Sequence, residues 1–353
     1  MSRSAGRKLD RVTDVTDVAA WTTIEQSLGA DVLQSWWWGD LKARHGWTPR
    51  RLAVLDADGQ PCAAAQILFR HVGPVSVAYA PRGPAAAPDA PDAPDALSAL
   101  TVGIDQLCWR ARSVAALIEP SSCDLALPSQ GSLAWEPTDV LLQPRRTIKV
   151  RVDRPDDDLL AAMKPKTRYN VRLATRRGVV VRRGSIDDLP AFYAMLAETS
   201  MRDRFGIHEI EYFRDMLDVF GDDAALLLAE LDGEPAAGAL VVRHGTEAVY
   251  MYGASATRLQ RHMAAYLIQF EAMRWARSIG CVIYDLWGIP DDDAGPESGQ
   301  DDGRGPNVRA GLWGVYRFKQ GFGGEVVRYP GVLQRVYAPP LMRLWRRVRP
   351  NLV

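Results

Sequence analysis

Cysteine, histidine and long hydrophobic runs are all scarce in this sequence of 353 residues. Its four cysteines and five histidines show no paired metal or redox spacing, and no Gly-x-Ser-x-Gly nucleophile motif occurs. No apolar stretch approaches the ~20 residues that a membrane span requires, and none follows the charged N-terminus as in a secretory signal. These absences predict a cytoplasmic protein without a metal site. The hydrophobic content of 47% indicates a folded chain, and its length predicts two domains.

The formal net charge is zero, with 43 basic and 43 acidic side chains, but the charges are segregated along the chain. Eight lysines and arginines and no acid lie between residues 163 and 183, and the chain beyond Glu325 is again basic without an acid. Acidic segments, notably 291–302, balance them. The zero total therefore hides two basic regions, and such regions favour an anionic partner.

The first basic region has the pattern of a helix that starts at Pro165 and ends at Gly178. Four of its cations recur at i, i+4 spacing and form one stripe: Lys164, Arg168, Arg172 and Arg176. A solvated helix face is the usual role of such charges. Because four like charges on one stripe repel each other, this stripe, together with Lys166, is a candidate nucleic-acid contact.

The order of predicted elements repeats: two helices, a three-strand meander, a helix and a strand. In the first half these elements lie near residues 15–28, 36–45, 51–80, 96–113 and 114–119. In the second half they lie near residues 187–201, 209–220, 224–253, 262–280 and 282–287. At the first turn of each meander, Gly59-Gln-Pro-Cys-Ala-Ala64 matches Gly233-Glu-Pro-Ala-Ala-Gly238. The sequence therefore predicts two similar α/β domains in tandem.

This order resembles the GCN5-related acetyltransferase (GNAT) fold, whose members bind acyl-CoA at a glycine-rich turn before the helix that follows the meander. Here that turn spans residues 256–263 and contains no glycine. Bulky side chains obstruct the close approach of a pyrophosphate to the backbone. Acetyl-CoA is therefore disfavoured as donor, and no cofactor is expected. Pro-Asp-Ala repeats near residues 88–96 and the segment 290–311 are predicted to be loops.

Seven short motifs, in order along the chain, resemble those of the FemABX family of aminoacyl-tRNA-dependent peptidoglycan aminoacyltransferases. They are Leu33–Gly39 with Lys42, Tyr79–Pro84, Lys166–Arg172, Arg202–Phe205, Tyr250–Ser255, Tyr284–Gly288 and Phe318–Phe322. The resemblance implies two tandem GNAT-like domains, the first (1–152) completed by 325–353 and the second being 153–324. It also implies transfer of an amino acid of the glycine, alanine or serine class from tRNA. The acceptor would be the stem-peptide amine of a lipid-linked or UDP-linked muramyl peptide, which receives an interpeptide bridge.

The same resemblance suggests site residues. The acceptor contacts are Lys42, Arg204 or Arg202, His208, Tyr252 and Phe318. Lysine and arginine suit the diphosphate and carboxylates of such a precursor. His208 stands where the family pattern has a tyrosine, four residues after Arg204.

Lys319 is the main catalytic candidate, because a fixed cation stabilises the oxyanion formed when an amine attacks an ester. The sequence places it in a glycine-rich turn. No convincing general base is evident. Asp89 is the alternative base: the family has an acid closely after the Arg-Gly-Pro motif, alanines stand there in this sequence, and Asp89 is the next acid along the chain.

Two alternatives stay open: an acyltransferase of the same fold with another donor, and a non-catalytic factor that binds tRNA or membrane. The basic and apolar tail, residues 337–349, fits a packed terminal helix, a tRNA contact, or a peripheral contact with the inner membrane surface. The sequence between the domains has no long heptad repeat, so no coiled-coil arm is expected. The chain is expected to be a monomer.

Overall fold

A computed structural model describes residues 9–87, 93–122, 125, 127, 134–203, 205–291 and 306–348. The chain divides into two compact units, one formed by Met1–Gln143 with Tyr329–Val353 and the other by Pro144–Arg328. Within the described part, no helix has both the length and the apolar character needed to cross a bilayer.

The strands and helices are numbered in chain order. The strands are β1 (Leu9–Asp14), β2 (Thr48–Asp56), β3 (Pro61–Val72), β4 (Val75–Ala80), β5 (Ala85–Ala86), β6 (Ser113–Ile118), β7 (Glu136–Pro137), β8 (Arg146–Arg151), β9 (Val180–Arg183), β10 (Ala224–Leu231), β11 (Glu234–His244), β12 (Glu247–Ser255), β13 (Ile283–Asp285), β14 (Glu325–Arg328) and β15 (Leu333–Val336). The helices are α1 (Val18–Ser27), α2 (Trp36–Arg44), α3 (Ala93–Arg110), α4 (Asp156–Ala162), α5 (Pro165–Arg176), α6 (Leu189–Asp203), α7 (Ile210–Phe220), α8 (Ala264–Ser278), α9 (Pro306–Gln320) and α10 (Pro339–Val348).

The first unit is built on a sheet of order β1-β2-β3-β4-β6-β15-β7, with β5 beside β3. Only β4 and β6 pair in parallel among these strands, and they stay paired to their ends, at Ala80 and Ile118. Helix α3 covers one face through a large apolar cluster that includes Leu97, Leu100 and Ile104. Helix α1 packs on the other face, so that both faces of the central strands are buried, as in a three-layer α/β domain.

The end of the chain is held in the first sheet by a buried ion pair. β15 pairs with β6, and Arg335 in β15 donates a 2.6 Å hydrogen bond to Asp105 in α3. The Tyr337 hydroxyl donates to the other oxygen of the same carboxylate at 2.6 Å, and the Arg335 guanidinium lies 4.5 Å from the ring centroid of Trp135. These contacts tie the last strand to a helix that lies 230 residues earlier.

The motif Leu33–Gly39 has a structural role in the first unit. The Gln34 amide donates to the Pro81 carbonyl at 2.6 Å, while its oxygen accepts from the Gln66 backbone N–H at 2.7 Å. Gly39 has no room for a Cβ atom, because the side chains of Gln66 and Arg51 already fill that space. The motif therefore joins the start of α2 to β3 and to the Tyr79–Pro84 segment.

The second unit repeats this topology in a sheet of order β14-β8-β13-β12-β11-β10-β9. Its parallel pair is β12 and β13, which corresponds to β4 and β6. This pair ends at Val249 and Asp285, and β12 continues without β13 as far as Ser255. In the second sheet the parallel strands β12 and β13 therefore separate before β12 ends, whereas in the first sheet β4 and β6 stay hydrogen-bonded to their ends.

The structure supports the predicted repeat and corrects several local predictions. Gly59 and Gly233 both have positive φ, 77° and 79°, at the first turn of each meander. The loop prediction for 290–311 is wrong at its end, because α9 begins at Pro306, and proline is well tolerated at a first helical position. The last Pro-Asp-Ala repeat likewise enters the first turn of α3. The sequence pattern predicts none of the strands β1, β5, β7, β8, β9, β14 and β15.

Candidate active site

Lys319 lies in the last turn of α9, not in a glycine-rich turn as the sequence predicts; the glycines come after the helix. Its side chain is 7% exposed. The ammonium donates to the carbonyl oxygens of Trp287 at 3.2 Å and Gly288 at 2.8 Å, and it lies 5.9 Å from the ring centroid of Tyr250. Two backbone dipoles and an aromatic face therefore surround this amine in a dry environment.

A buried carboxylate shapes the segment that holds Lys319. Asp285, at the end of β13, accepts a 2.6 Å hydrogen bond from the Trp287 N–H and another from the Thr147 hydroxyl. Trp287 itself adopts a left-handed conformation with φ of 61°, which is uncommon for a bulky residue. Because Asp285 holds this turn, the carbonyls of Trp287 and Gly288 face the Lys319 amine.

Two opposing effects set the charge of Lys319. Burial lowers the pKa of its ammonium from 10.5 to about 8, and the nearby Asp285 carboxylate acts in the opposite direction. Lys149 lies 3.9 Å from Asp285 and pairs more closely with Glu247, at 2.8 Å. With a pKa of about 8, roughly nine in ten Lys319 side chains are cationic at pH 7. A cation in a dry site of this kind stabilises developing negative charge more strongly than one in water does.

A cleft of about 240 Å³ opens at the N-terminus of α8, and one of its lining residues, Phe318, directly precedes Lys319 in the sequence. Its lining residues are Ala236, Ser255, Gln260, Met263, Ala264, Ala265, Tyr266 and Phe318. The Phe318 ring packs edge-on against Tyr266, with centroids 5.0 Å apart. Met263 precedes α8 with φ of 62°, so a bulky residue occupies a backbone conformation that glycine favours. Lys319 is not among the lining residues.

Tyr252 lies on the stretch of β12 that extends beyond β13 and still pairs with β11, and it belongs to an aromatic group. Its hydroxyl is hydrogen-bonded to that of Tyr212 in α7, and its ring packs edge-on against Phe213 at 4.8 Å. Burial raises the pKa of Tyr252 to about 12. The His208 ring stacks on Tyr212 with centroids 3.9 Å apart, so the structure brings His208 and Tyr252 together through Tyr212.

The remaining predicted site residues are more dispersed. Arg202, at the end of α6, pairs with Asp203 at 3.0 Å and donates to the Thr257 hydroxyl at 3.2 Å. Arg204 and Asp89 lie outside the described residues. Lys42 belongs to the first unit, where its ammonium lies 4.8 Å from the Trp38 ring centroid. Burial, with a smaller contribution from Arg70, lowers the pKa of Lys42 to about 8.

Helix α5 confirms the predicted basic helix, with Pro165 at its start and Gly178 at φ of 84° after its end. Its cations Lys164, Lys166, Arg172 and Arg176 are exposed, whereas Arg168 is partly buried and donates to the carbonyls of Leu160 and Ala161. Tyr169 is 56% exposed on the same helix. An exposed ring among cations is typical of surfaces that stack on unpaired bases.

Comparison of this chain with known proteins identifies one family. The model of the FemAB family matches residues 138–235 and 232–346. The chain belongs to the FemAB family. Among curated relatives, the lipid II:glycine glycyltransferase of Staphylococcus epidermidis is 24% identical to it over 91% of this chain and 92% of that protein.

Solved structures confirm the fold class of this FemAB protein. The crystal structure of FemX superposes with a TM-score of 0.78 at 22% identity, covering 95% of this chain and 99% of that one. A tandem GNAT protein from the clavulanic acid biosynthesis pathway superposes with a TM-score of 0.50 at 11% identity, covering 93% and 98%. The two tandem GNAT-like domains predicted from the sequence are thus the fold of this chain.

Three residues of this FemAB chain are absent from the sequence predictions. Asp285 acts on Lys319 through the Trp287 turn, and only its place in the Tyr284–Gly288 motif hinted at a role. Tyr212 is the hydrogen-bond partner of Tyr252, four residues beyond His208. Tyr169 lies among the cations of α5, and an aromatic residue within a basic segment is a sequence pattern that indicates contact with nucleic-acid bases.

Proposed function

We propose that this FemAB protein transfers an amino acid from aminoacyl-tRNA to the side-chain amine of a peptidoglycan stem peptide and so forms an interpeptide bridge. The lipid II:glycine glycyltransferases that match nearly its whole length support this acceptor class, and they favour glycine among glycine, alanine and serine. The observation that carries the proposal is the buried Lys319 amine, which lies against the Tyr250 ring where β12 and β13 separate, while its sequence neighbour Phe318 lines the cleft at α8.

The reaction makes one bond and breaks one. The acceptor nitrogen attacks the ester carbonyl carbon, a C–N bond forms, and the carbonyl oxygen becomes an oxyanion. The Lys319 ammonium lowers the energy of this oxyanion. Collapse breaks the ester C–O bond, and the proton of the attacking amine passes to water or to the released ribose oxygen. Asp89 stays the candidate base for that proton.

The other predicted residues take binding roles in this proposal. Acceptor contacts come from Lys42, Arg202, Arg204, His208, Tyr252 and Phe318, and tRNA contacts from Lys164, Lys166, Arg168, Arg172 and Arg176. The exposed cations and ring of α5 support its contact with tRNA. We propose that the protein acts as a monomer and meets a lipid-linked acceptor at the membrane surface.

The test pairs purified protein with glycyl-, alanyl- or seryl-tRNA and with lipid II or its UDP-linked precursor. Labelled amino acid should pass to the muramyl peptide, and ribonuclease treatment of the tRNA should abolish transfer. Transfer that survives ribonuclease but requires acyl-CoA would replace this proposal with an acyltransferase of another donor. Binding of tRNA without any transfer would indicate a non-catalytic factor.

A variant pair tests Lys319 itself. Lys319→Met should lower kcat about 10²–10³-fold while precursor binding stays close to wild type. Arg317→Met, an exposed cation in the same helical turn, is the matched control and should leave the rate unchanged. Equal rates in the two variants would remove Lys319 from catalysis.

A further inference from the structure

Helix α10 presents an apolar surface that its own unit does not cover. Met342 and Trp345 are buried, at 2% and 7% exposure, and they fix the helix to the first unit. Leu341 and Leu344 are 45% and 56% exposed. Exposed leucines one helical turn apart are a single surface feature, because residues three apart lie on the same side of a helix.

The cations of α10 lie beside these leucines. Arg343 and Arg347 are exposed and one turn apart, so they form a second strip along the outer side of the helix. Neither α10 nor any residue after Glu325 carries an acidic side chain. The exposed side of α10 is thus half aliphatic and half cationic, and its buried side holds it in place.

Helices α5 and α10, which lie in the two basic regions of the sequence, differ in the apolar groups that they expose. Helix α5 exposes a tyrosine ring, which can stack on a base, whereas α10 exposes leucines, which cannot. Aliphatic side chains gain by entering the boundary between lipid headgroups and acyl chains, and adjacent arginines are attracted to anionic headgroups. The chemistry of α10 therefore fits a lipid surface better than RNA.

We infer that α10 is an interfacial helix that docks the first unit on an anionic lipid surface, with Leu341 and Leu344 entering the headgroup layer and Arg343 and Arg347 pairing with phosphates. This deepens the membrane contact of the proposed function. A short helix with two leucines and two arginines binds weakly and reversibly. Such binding suits a protein that visits a lipid-linked substrate and leaves again.

The experiment measures sedimentation of the full-length protein with vesicles of phosphatidylcholine alone or mixed equally with phosphatidylglycerol, free of any peptidoglycan precursor. Wild-type protein should bind the mixed vesicles and not the neutral ones. Arg343→Gln/Arg347→Gln should weaken binding about 25-fold, which is about fivefold for each cation near the surface. Leu341→Ser/Leu344→Ser should also release the protein, and Val102→Ser, at an exposed position on α3, is the matched control that should bind like wild type.

Unchanged vesicle binding by both double variants, with wild-type circular dichroism, would overturn the inference. So would weaker tRNA binding by the arginine variant with intact vesicle binding, because that result assigns α10 to RNA. Failure of the proposed function is a separate result: it appears as absent transfer both to detergent-solubilised lipid II and to the UDP-linked precursor, neither of which needs a vesicle.

Discussion

The pH dependence of transfer should depend on Asp285, although this carboxylate touches no substrate in the proposed mechanism. Asp285→Asn keeps an oxygen for the Trp287 N–H but removes the negative charge that favours the Lys319 ammonium. A nearby opposite charge shifts a pKa by about one to three units. We take the smallest value and expect the pKa of Lys319 to fall from about 8 to about 7.

The magnitude follows from the cationic fractions at each pH. With a pKa of about 8, the ammonium makes up about 99% of Lys319 at pH 6, 90% at pH 7 and 10% at pH 9. With a pKa of about 7, the corresponding fractions are about 90%, 50% and 1%. The rate of Asp285→Asn relative to wild type should therefore fall from about 0.9 at pH 6 to about 0.5 at pH 7 and about 0.1 at pH 9.

The assay is kcat/KM for transfer to whichever acceptor wild-type protein uses, lipid II or its UDP-linked precursor, at pH 6, 7, 8 and 9, expressed as the ratio of variant to wild type. The ratio removes the ionisation of the acceptor amine, since both proteins use the same substrate. Glu230→Gln, which removes a partner of Arg182 at the β9–β10 edge of the same sheet, is the control and should give a flat ratio.

Two outcomes would refute the reasoning. A ratio below one that does not change with pH means that Asp285 only maintains structure. A ratio above one near pH 7 means that the neutral amine of Lys319 is the active form, as in a general base, because the variant would then hold more of it.

Three further predictions concern stability and tRNA binding. Burial raises the pKa of Glu25 from 4.5 to about 8. Between pH 4.5 and about pH 8 the folded protein therefore holds a proton on Glu25 that the unfolded chain has lost. The free energy of unfolding should accordingly fall as pH rises through this range. Urea unfolding at pH 5 and pH 8 should show that fall in wild type and much less of it in Glu25→Gln; an equal fall in both proteins would exclude Glu25 as its source. Asp105→Asn should lower the free energy of unfolding by about 3–5 kcal/mol, because it leaves the buried Arg335 guanidinium without its ion partner, and a loss under 1 kcal/mol by urea titration would contradict this. Lys166→Gln with Arg172→Gln should reduce the salt slope of tRNA binding by about 1.5, at about 0.7–0.9 for each lost phosphate contact, and filter binding that shows an unchanged slope would remove α5 from the tRNA contact.

The sequence pattern was sufficient for the repeated part of the fold. The meander turns at Gly59 and Gly233 have positive φ, and each is followed by a long, mostly buried strand, β3 or β11, so local chemistry specifies them. β15 was harder to locate, because its place beside β6 depends on the ion pair between Arg335 and Asp105, which are distant in sequence. The family resemblance, and not the pattern, indicated that the chain's end returns to the first domain.

The candidate site was predicted less well than the fold, for a similar reason. Lys319 was identified through its motif, but its environment depends on carbonyls 31 and 32 residues away and on a carboxylate that holds their turn. Spacing rules describe neighbours on one helix or strand, and they do not describe a lysine whose partners come from another element. Asp285 and Tyr212 were missed on this account, whereas α5, whose pattern lies within one helix, was predicted correctly.

The comparison of the two units gives a reason to favour the second unit for the chemistry. In the first unit the parallel strands stay paired to their ends, where the hydroxyl of Tyr79 in β4 donates to the buried Glu119 carboxylate. In the second unit the equivalent strands separate after Asp285, and Tyr250 and Lys319 lie at that opening. A duplicated domain needs only one copy with such an opening, and under the proposed function the closed copy serves stability, docking and, through Lys42, contact with the acceptor. The loss of a buried carboxylate should accordingly have different effects in the two units: Asp105→Asn should change the free energy of unfolding, whereas Asp285→Asn should change the pH profile of transfer.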